Sequence, residues 1–523
     1  MAKSGNLVGI DLGTTFSAIA TLDDRGRAIT LPNREGEMLT PSAVLIEPNS
    51  AVVGGAALDV SLEQPDKVAT LVKRRMGYPT YGRLVAGIEF RPETLSALIL
   101  RKLVQDAELR IGRVAKAVIT VPAYFDDTRR KATKDAGRIA GIEVVDIIDE
   151  PTAAALAYSF QPAPNLNEPD QGPSNHPQTV LVYDLGGGTF DVTLVRLSQL
   201  RFETVAIEGD VRLGGQDWDD RIVAYVAERF AKEYGDDPRR DARAKAGLYA
   251  AAERAKRTLS KLAQTTITCS HAGKMLSVPL TRAEFESMTR DLLTRTRLTT
   301  QQLLQEAHLD WKSVDRILMV GGSSHMPMTG HMLEEISGRA PDRSLAVSEV
   351  VARGAALHAG IVAARDPEEG LEMDDNVLKT LGQVIEINVN SHSLGIEVKH
   401  NEERLNDVLI AKNTQLPASG SRVYRTVAAN QERVRVRVLQ GDARQAEACI
   451  SIGECWIDEL PPDLPRHSPI QVRCECAANG LIDVMALEMT SGKMVRADIH
   501  RSSGLSEQDL AREKEWLSQL TIQ

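Results

Sequence analysis

Two short stretches of this chain repeat one design about 170 residues apart. VGIDLGTTFS begins at Val8 and VYDLGGGTFD begins at Val182, and each joins an apolar strand to Asp, Leu, glycine and Thr before a second strand. Glycine costs backbone entropy, roughly 0.5 to 1 kcal/mol relative to Ala. Three consecutive glycines therefore indicate that another group must approach the bare main chain, and the repeat predicts a duplicated domain.

The residue types in both loops are suited to phosphate. Backbone N–H groups and threonine hydroxyls can donate to phosphate oxygens where no Cβ blocks the main chain. Asp11 and Asp184 end the two strands, and a hydrated Mg²⁺ between them could bridge carboxylate to phosphate. One glycine-rich turn is as often purely structural, but two related turns, each led by Asp, favour a phosphate site. Neither the P-loop pattern nor the Rossmann fingerprint is present at these loops.

Composition narrows the class of protein. The chain has 523 residues, enough for three or four folding units at roughly 100 to 200 residues per domain. Its 62 Lys and Arg against 72 Asp and Glu give a formal net charge of -10, so the total charge calls for neither nucleic acid nor an anionic membrane as partner. The first residues lack the apolar core of a signal peptide, and no apolar run reaches the roughly 18 residues that span a bilayer, so we expect a cytoplasmic protein.

The first part of the chain, to about residue 364, alternates strand-like and helix-like segments and predicts an α/β domain. A long amphipathic helix is predicted over Glu93 to Ile111, and Thr281 opens another helix with the capping sequence TRAE. The predicted strands are Ala115 to Val121, Ile142 to Ile148, Thr179 to Leu185 and Arg316 to Gly322. The proline-rich segment Gln161 to Gln178 is expected to be a surface excursion without regular structure.

The composition changes after Arg365. An acidic stretch from Asp366 to Asp375 is followed by short segments with β character, among them RVRVRV from Arg433, which predict an antiparallel sandwich. Ser506 to Leu520 is predicted to form a single helix. Of five cysteines, four lie close together without the spacing of a zinc site, so we expect them to be buried on strands; they are Cys449, Cys455, Cys474 and Cys476.

These motifs together resemble the 70-kDa heat-shock chaperones of the DnaK type. IDLGTT, VPAYFDDTRRKATKDAG, IDEPTAAALAY, YDLGGGTFDV, LGGQDWD, ERAKRTLS and VGGSSHMP resemble the family's ATPase domain, in the family's order, and SLGIEV, LIAKNTQLP and VLQGDA resemble its peptide-binding sandwich. The short front lobe, with KRRMG close behind the first hairpin, is similar to the short bacterial HscC-like members. The resemblance covers residues from about 6 to 515.

The fold class that the resemblance implies is α/β plus all-β. An actin-like two-lobed ATPase domain would occupy residues 1–364, an interdomain linker 365–388, a β-sandwich peptide-binding domain 389–503, and a vestigial lid helix 504–523. The implied function is that of an ATP-dependent chaperone that hydrolyses ATP to ADP and phosphate, binds exposed apolar segments of unfolded proteins, and serves protein folding and the stress response.

Residue roles are implied by matched position. Lys73 would orient the attacking water, and Asp11, Glu150 and Asp184 would organise Mg²⁺ through water, with Asp191 and Thr189 in support. The residues implied to bind ATP are Gly13, Thr14, Thr15, Phe16, Gly186, Gly187, Gly188, Gly214, Gly215, Glu253, Lys256, Arg257, Ser260, Gly321, Gly322, Ser323 and His325. Those from Glu253 to Ser260 lie on one helix face at spacings i, i+3, i+4 and i+7, so they can meet one nucleoside. The implied cofactors are ATP or ADP and Mg²⁺, with K⁺ as a further candidate.

The resemblance also implies a client site and a route of coupling. The pocket positions are Ile396, Tyr424, Val427, Val434 and Val436, although alternating apolar residues are also what any sandwich core contains. Pro122, Arg130 and the linker residue Glu386 would couple the domains. The implied partners are extended client peptides and a J-domain co-chaperone, with a nucleotide exchange factor as a further candidate; neither nucleic acid nor a membrane is expected.

Several positions depart from the family pattern. His325 stands where an arginine commonly stacks on adenine, and Ser348 replaces a common Asp, so we expect weaker nucleotide binding and intact chemistry. Lys399 takes the place of an arch methionine. Glu386 interrupts the apolar linker VIEIN and makes docking costly unless a cation meets it. The final helix is expected to brace the sandwich without closing over a peptide, so clients should leave quickly.

Two further classes fit parts of the pattern. A phosphotransferase of the actin-like superfamily, such as a sugar kinase, would use the same phosphate loops but leaves the sandwich motifs unexplained. A scaffold or filament protein with a nucleotide switch is the other alternative, and the sequence offers no specific assembly interface for it.

Overall fold

A six-stranded sheet organises the first half of the α/β region, which we call the front lobe. The protein is described here by a computed structural model, which covers residues 6–160, 177–343, 346–366, 373–401, 403–457, 460, 462–490, 494–497 and 504–523. The sheet order is β11-β10-β1-β2-β3, and β4 also pairs with β2. The elements of the front lobe are β1 (Asn6–Asp11), β2 (Phe16–Leu22), β3 (Ala28–Leu31), β4 (Thr40–Pro41), β5 (Val44–Ile46), β6 (Ser50–Val53), α1 (Gly55–Val60), β7 (Val68–Ala69), β8 (Leu84–Val85), β9 (Ile88–Glu89), α2 (Pro92–Ile111), β10 (Val114–Val121), α3 (Asp127–Ile139), β11 (Glu143–Asp149) and α4 (Glu150–Ser159).

A five-stranded sheet organises the second half, the back lobe, in the order β17-β12-β13-β14-β18. Its last strand, β18, belongs to the linker and pairs in parallel with β14. The elements from here to the linker are β12 (Gln178–Leu185), β13 (Phe190–Ser198), β14 (Arg201–Asp210), α5 (Gly215–Tyr234), α6 (Ala242–Lys261), β15 (Gln264–His271), β16 (Lys274–Thr281), α7 (Arg282–Met288), α8 (Arg290–Glu306), β17 (Arg316–Val320), α9 (Pro327–Ser337), α10 (Val350–Arg365), α11 (Asp375–Gly382) and β18 (Ile385–Ile387).

The two sheets share one topology, which confirms the predicted duplication. In the front lobe β1 pairs antiparallel with β2 and parallel with β10. In the back lobe β12 has the same neighbours in the same orientations, β13 antiparallel and β17 parallel. The strands and long helix predicted in this region are also present, and Thr281 caps α7 with the expected capping box.

Two four-stranded antiparallel sheets follow the linker, as the alternating pattern predicts. Their orders are β20-β19-β22-β23 and β21-β24-β25-β26. One apolar core fills the space between them, and three cysteines on its strands, Cys455, Cys474 and Cys476, are buried and free, as expected. The expectation is wrong for Cys449, which is only partly buried and precedes β23. The elements are β19 (Leu394–His400), β20 (Glu403–Ile410), β21 (Ala418–Arg425), β22 (Val434–Gln440), β23 (Ile450–Ile457), β24 (Pro469–Cys476), β25 (Ile482–Glu488) and β26 (Met494–Ala497), and the chain continues to α12 (Glu507–Ser518) and β27 (Thr521–Ile522).

The expectation that the last helix braces the sandwich is wrong. The buried side chains of α12 and its flanks join the apolar core of the front lobe; they are Leu505, Leu510, Leu517 and Ile522. Strand β27 pairs in parallel with β6, so the segment after the helix also belongs to the front lobe. The amphipathic pattern indicated that one face of the helix is buried, but not which surface covers it.

Two of the expectations fall wholly or largely outside the described residues. Of the proline-rich excursion Gln161 to Gln178, residues 161–176 are not described, nor are residues 367–372 of the acidic stretch.

Within the described part of the chain, no helix combines the length and the apolar character needed to cross a membrane.

Candidate active site

The two predicted phosphate loops face each other, one from each lobe. A Cβ added to Gly187 would lie 2.0 Å from Thr15 Oγ1, and one added to Gly188 would lie 2.6 Å from Thr14 Cγ2. Glycine is therefore required in the back-lobe loop because the front-lobe threonines already occupy the space beside it. The repeat in the sequence thus forms a pair of loops in direct contact.

A third glycine segment packs against the back-lobe loop at the start of α5. Gly215 N donates to Gly186 O at 2.9 Å, and Gln216 N donates to Gly187 O at 2.9 Å. A Cβ on Gly214 would lie 2.5 Å from Gly188 N. These contacts hold the loop in one conformation and place the N-terminus of α5, the positive end of its dipole, beside it.

Acidic side chains from both lobes converge beside these loops, together with one lysine. Lys73 forms a buried ion pair with Glu150, the first residue of α4. Asp11 accepts a hydrogen bond from Thr120 Oγ1 at 3.0 Å, and Asp191 accepts one from Tyr124 N at 2.9 Å. Asp184 is buried at the end of β12, on the same strand end as the glycine loop.

The environment of the acidic cluster favours the protonated form of its carboxyl groups. Burial, with Glu150 as the next cause, raises the pKa of Asp11 to about 7 and that of Asp191 to about 8. The pKa of Asp184 is raised well above its ordinary value by burial, then by Glu150 and Asp191. Burial lowers the pKa of Lys73, but Glu150 and Asp11 outweigh that effect and the net shift is upward. One fixed cation among several buried carboxylates leaves an excess of negative charge that a bound cation would relieve.

This donor set fits Mg²⁺ held through water. Carboxylate oxygens are the ligands that Mg²⁺ takes from proteins, and Mg²⁺ usually keeps several of its waters. Among the described residues no group of three or more His, Cys, Asp or Glu is placed to hold a metal ion directly.

The predicted adenosine-binding residues lie on α6 and in the loop after β17. Lys256 Nζ lies 2.7 Å from Asp219 Oδ2 and donates to Gly215 O at 2.9 Å, so this lysine is buried against the start of α5. Arg257 pairs with Glu253 at 2.7 Å, and its guanidinium lies 5.2 Å from the centre of the Phe16 ring, which reaches across from the front lobe. Ser260 Oγ donates to Lys256 O at 3.1 Å.

The other predicted adenosine-binding residues lie in the loop after β17; they are Gly321, Gly322, Ser323 and His325. A Cβ on Gly321 would lie 2.5 Å from Asp184 Oδ1, which places this loop against the acidic cluster. His325 is exposed, and partial burial, then Arg343 and Lys261, lower its pKa. The His325 ring is therefore uncharged at neutral pH, as the sequence indicates. Ser348, the other position that departs from the family pattern here, is exposed at the surface.

Pro122, directly after β10, and Arg130, in the first turn of α3, lie between the active site and the sandwich. Pro122 O accepts from Phe125 N at 3.1 Å, and Phe125 O accepts from Arg130 Nε at 3.0 Å. Arg130 also pairs with Asp149 at 2.7 Å, directly before Glu150 in the chain, and donates to Asn479 O of the sandwich at 3.3 Å. Glu386, the third predicted coupling residue, is buried in the docked linker strand.

Four of the five predicted pocket positions share the sandwich core. Ile396 and Val436 are buried in it, and Tyr424 and Val434 pack against it. The hydroxyl of Tyr424 donates to Asp407 Oδ2 at 2.8 Å. Val427 is apart from the others, 75% exposed in the loop after β21.

The arginines of RVRVRV are not an open cationic face. Arg437 lies 2.6 Å from Glu397, and Arg435 lies 3.6 Å from both Glu397 and Glu454. Arg433 lies over the ring of Trp456 at 4.8 Å. Each of these arginines thus has a partner within the sandwich.

Sequence reasoning missed several residues that complete the site. Thr120 and Tyr124 hold Asp11 and Asp191, Arg74 pairs with Asp217 at 2.8 Å, and Asp219 holds Lys256. Arg74 directly follows Lys73 in KRRMG, and Asp219 lies in LGGQDWDD, so both stood inside motifs already singled out. His358, which contacts Glu386, lay outside every motif interpreted as functional.

A two-lobed α/β domain with a closed phosphate cleft and a following β-sandwich defines the class of this protein. A model of the family described as Hsp70 protein matches residues 7–83 and 79–519. The chain is also similar to "Chaperone protein DnaK" of Halobacterium salinarum, strains R1 and NRC-1. Each relative is 39% identical over 514 residues, which is 97% of this chain and 77% of the relative.

The chain belongs to the Hsp70 family. It is an ATP-dependent chaperone with ATPase activity, built as an actin-like ATPase domain followed by a β-sandwich. The two alternative classes, a phosphotransferase and a scaffold protein, are rejected because the family match covers the sandwich as well as the two lobes.

Proposed function

We propose that ATP is hydrolysed between the two glycine loops by the residues predicted from the sequence. The observation that carries this assignment is the buried Lys73–Glu150 ion pair beside Asp11, Asp184 and Asp191. Lys73 and Glu150 would orient the attacking water, and the loop N–H groups with Thr14, Thr15 and Thr189 would bind the phosphates. Phosphoryl transfer needs mainly positioning and neutralisation of charge, and this arrangement provides both.

Asp11, Glu150 and Asp184 would hold Mg²⁺ through its waters. When bound, Mg²⁺ supplies positive charge at the phosphate oxygens. The same acidic cluster makes K⁺ a candidate second ion. The residues on α6, with Gly321, Gly322, Ser323 and His325, would enclose adenosine. A neutral His325 stacks without adding charge, so we expect modest nucleotide affinity and unchanged chemistry.

The substitution Lys73→Ala tests this assignment. It removes the cation beside Glu150 and should lower the single-turnover rate of ATP hydrolysis roughly 100-fold or more, with less than a tenfold change in ATP affinity. Lys67→Ala is the matched control, because Lys67 lies in the same segment with a side chain that is 38% exposed. Calorimetric titration gives the affinity. Equal rates for the two variants, or no ATP binding by the unmutated protein, would contradict the proposal.

The sandwich is the proposed client site, with extended apolar peptides as ligands. Ile396, Tyr424, Val434 and Val436 would shape the pocket, and Val427 would contact the peptide from the loop after β21. Lys399 on β19 would make the arch over the peptide more polar. A labelled apolar peptide should bind the protein, and Val436→Asp should abolish binding while ATP affinity is unchanged.

The proposed division of the chain is the predicted one: ATPase domain 1–364, linker 365–388, sandwich 389–503 and a reduced lid 504–523. Pro122, Arg130 and Glu386 would transmit the nucleotide state to the sandwich. A J-domain co-chaperone and an exchange factor are the proposed partners, in the cytoplasm. Because α12 packs on the front lobe, we expect the sandwich to remain open and bound peptide to leave quickly in the ADP state.

A further inference from the structure

The linker docks with a carboxylate at its centre. Strand β18 pairs with β14, and Glu386 stands opposite Phe202 in the register. The Glu386 side chain is only 7% exposed, between Ile385 and Ile387. Burying an unpaired carboxylate at such a place is strongly unfavourable, so a linker of this sequence should resist docking.

One histidine on α10 removes that obstacle. His358 Nδ1 lies 2.8 and 3.0 Å from the two carboxylate oxygens of Glu386, and the side chain of His358 is 11% exposed. Its other nitrogen, Nε2, lies 3.0 Å from Asp146 Oδ2 on β11. Since carboxylates face both ring nitrogens, the ring satisfies both only when it carries two protons.

The electrostatics of the site agree with a charged ring. Burial lowers the pKa of His358, but Glu386 and Asp146 raise it more strongly, to about 10. The pKa of Asp146 is lowered, because hydrogen bonds from His358 and Asn479 outweigh its burial. With the linker docked, the carboxylate of Glu386 therefore faces a cationic ring.

The contacts continue from Asp146 into the sandwich. Asp146 Oδ1 accepts from Asn479 Nδ2 at 2.9 Å, and Asn479 lies in the turn between β24 and β25. A chain of side-chain contacts thus connects the linker strand to the sandwich across the front lobe. It runs from Glu386 through His358 and Asp146 to Asn479. Arg365 holds the linker independently, since it donates to Val384 O whatever residue stands at position 386.

We propose that His358 is a positioning residue for the interdomain linker, whose cationic ring selects the docked conformation by pairing with Glu386. The inference rests on the proposed role of the linker in coupling ATP to client binding. If His358 acts in this way, the effect of substituting it on linker docking depends on the side chain at position 386. A histidine with only a structural role would show no such dependence.

A double-mutant cycle on the full chain tests this dependence. The four proteins are the unmutated chain, His358→Gln, Glu386→Leu and the double variant, and the readout is hydrogen exchange of the amides of residues 384–388 with ATP bound. His358→Gln should raise their exchange at least tenfold when Glu386 is present. With Leu at position 386 the same substitution should change exchange less than threefold, because an apolar linker needs no cation.

Two further variants separate this result from misfolding. Glu386→Lys changes only the linker, so both domains keep their cores, and it should raise exchange at least tenfold because two cations would meet. Arg365→Ala should weaken docking equally with Glu or Leu at position 386. An equal effect of His358→Gln in both backgrounds, unchanged exchange in Glu386→Lys, or an unprotected linker in the unmutated chain would each overturn the inference.

Rates of ATP hydrolysis, measured on the same samples, keep the two proposals distinct. A protected linker with no hydrolysis would refute the proposed active site and leave the role of His358 standing. Normal hydrolysis with an unprotected linker would refute the role of His358 and leave the active site standing.

Discussion

The phosphate loops contain single positions at which only glycine fits. Gly187→Ala would place a methyl group 2.0 Å from Thr15 Oγ1, on a loop that hydrogen bonds with Gln216 prevent from moving away. We expect ATP affinity to fall at least tenfold, about 1.4 kcal/mol, as measured by calorimetry. Gly247→Ala is the control, because Gly247 lies within α6 and a Cβ added to it would meet no neighbouring side chain, so this variant should bind ATP normally.

Glu93 in the front lobe makes stability depend on pH. Its carboxyl is buried in the first turn of α2, and its Oε2 has no hydrogen-bond partner. Burial raises its pKa from 4.5 to about 7. A raised pKa means that the folded state favours the protonated carboxyl. This contribution to stability is complete below pH 4.5 and is lost as the pH rises through 7.

Glu93→Gln should therefore stabilise the protein at pH 8 relative to the unmutated chain, by up to about 3 kcal/mol, and have a much smaller effect at pH 5. Differential scanning calorimetry of both proteins at each pH measures the difference. Glu89→Gln, at an exposed position on β9, is the control and should show no such pH dependence. An equal shift of Glu93→Gln at both pH values would refute the assignment.

The elements differ in how much of their environment the sequence specifies. The two glycine loops could be predicted because the contact partner of each is another copy of the same motif. The capping box of α7 could be predicted because every residue that forms it lies within one turn. The ion pair of His358 with Glu386 could not, since 28 residues separate them and only the docking of β18 on β14 brings them together.

Helix α12 is the element whose environment differs most from the expectation. Leu510 and Leu517 are buried in the front lobe, Trp516 lies 5.4 Å from Phe90, and Glu507 pairs with Arg138 on α3 at 2.7 Å. The helix therefore stabilises the ATPase domain in this conformation. A truncation that removes it would damage the front lobe as well as the lid.

Leu510→Ala should destabilise the front lobe by about 2 to 4 kcal/mol, because it leaves a cavity in a packed core. Thermal unfolding should show a lower transition for the ATPase domain, with the transition of the sandwich unchanged. Arg512→Ala, on the same helix with a side chain that is 75% exposed, is the control and should shift neither. A shift confined to the sandwich would show that α12 packs there in solution.

Contacts between the domains hold the molecule in a docked arrangement. Lys412, in the loop after β20, pairs with Glu208 of β14 and lies 2.9 Å from Glu306 at the end of α8. Next to it, Asn413 Oδ1 accepts from Ile207 N at 3.1 Å. The side chains of Lys412 and Glu208 are 9% and 4% exposed, so breaking this pair leaves a buried carboxylate without its cation.

Lys412→Ala should therefore separate the sandwich from the back lobe. Losing one partner of a buried pair costs about 3 to 5 kcal/mol, whereas a tenfold coupling between ATP and peptide requires only about 1.4 kcal/mol. The radius of gyration from small-angle scattering with ATP should rise, and the difference in peptide affinity between ATP and ADP should shrink towards zero. Lys312→Ala, an exposed lysine on the same lobe, should change neither. If Lys412→Ala leaves both quantities unchanged, the contacts of the sandwich with the front lobe, such as those of Asp127 with Gln440 and Ile482, are sufficient to hold the domains together, and the route from nucleotide to client runs through the front lobe.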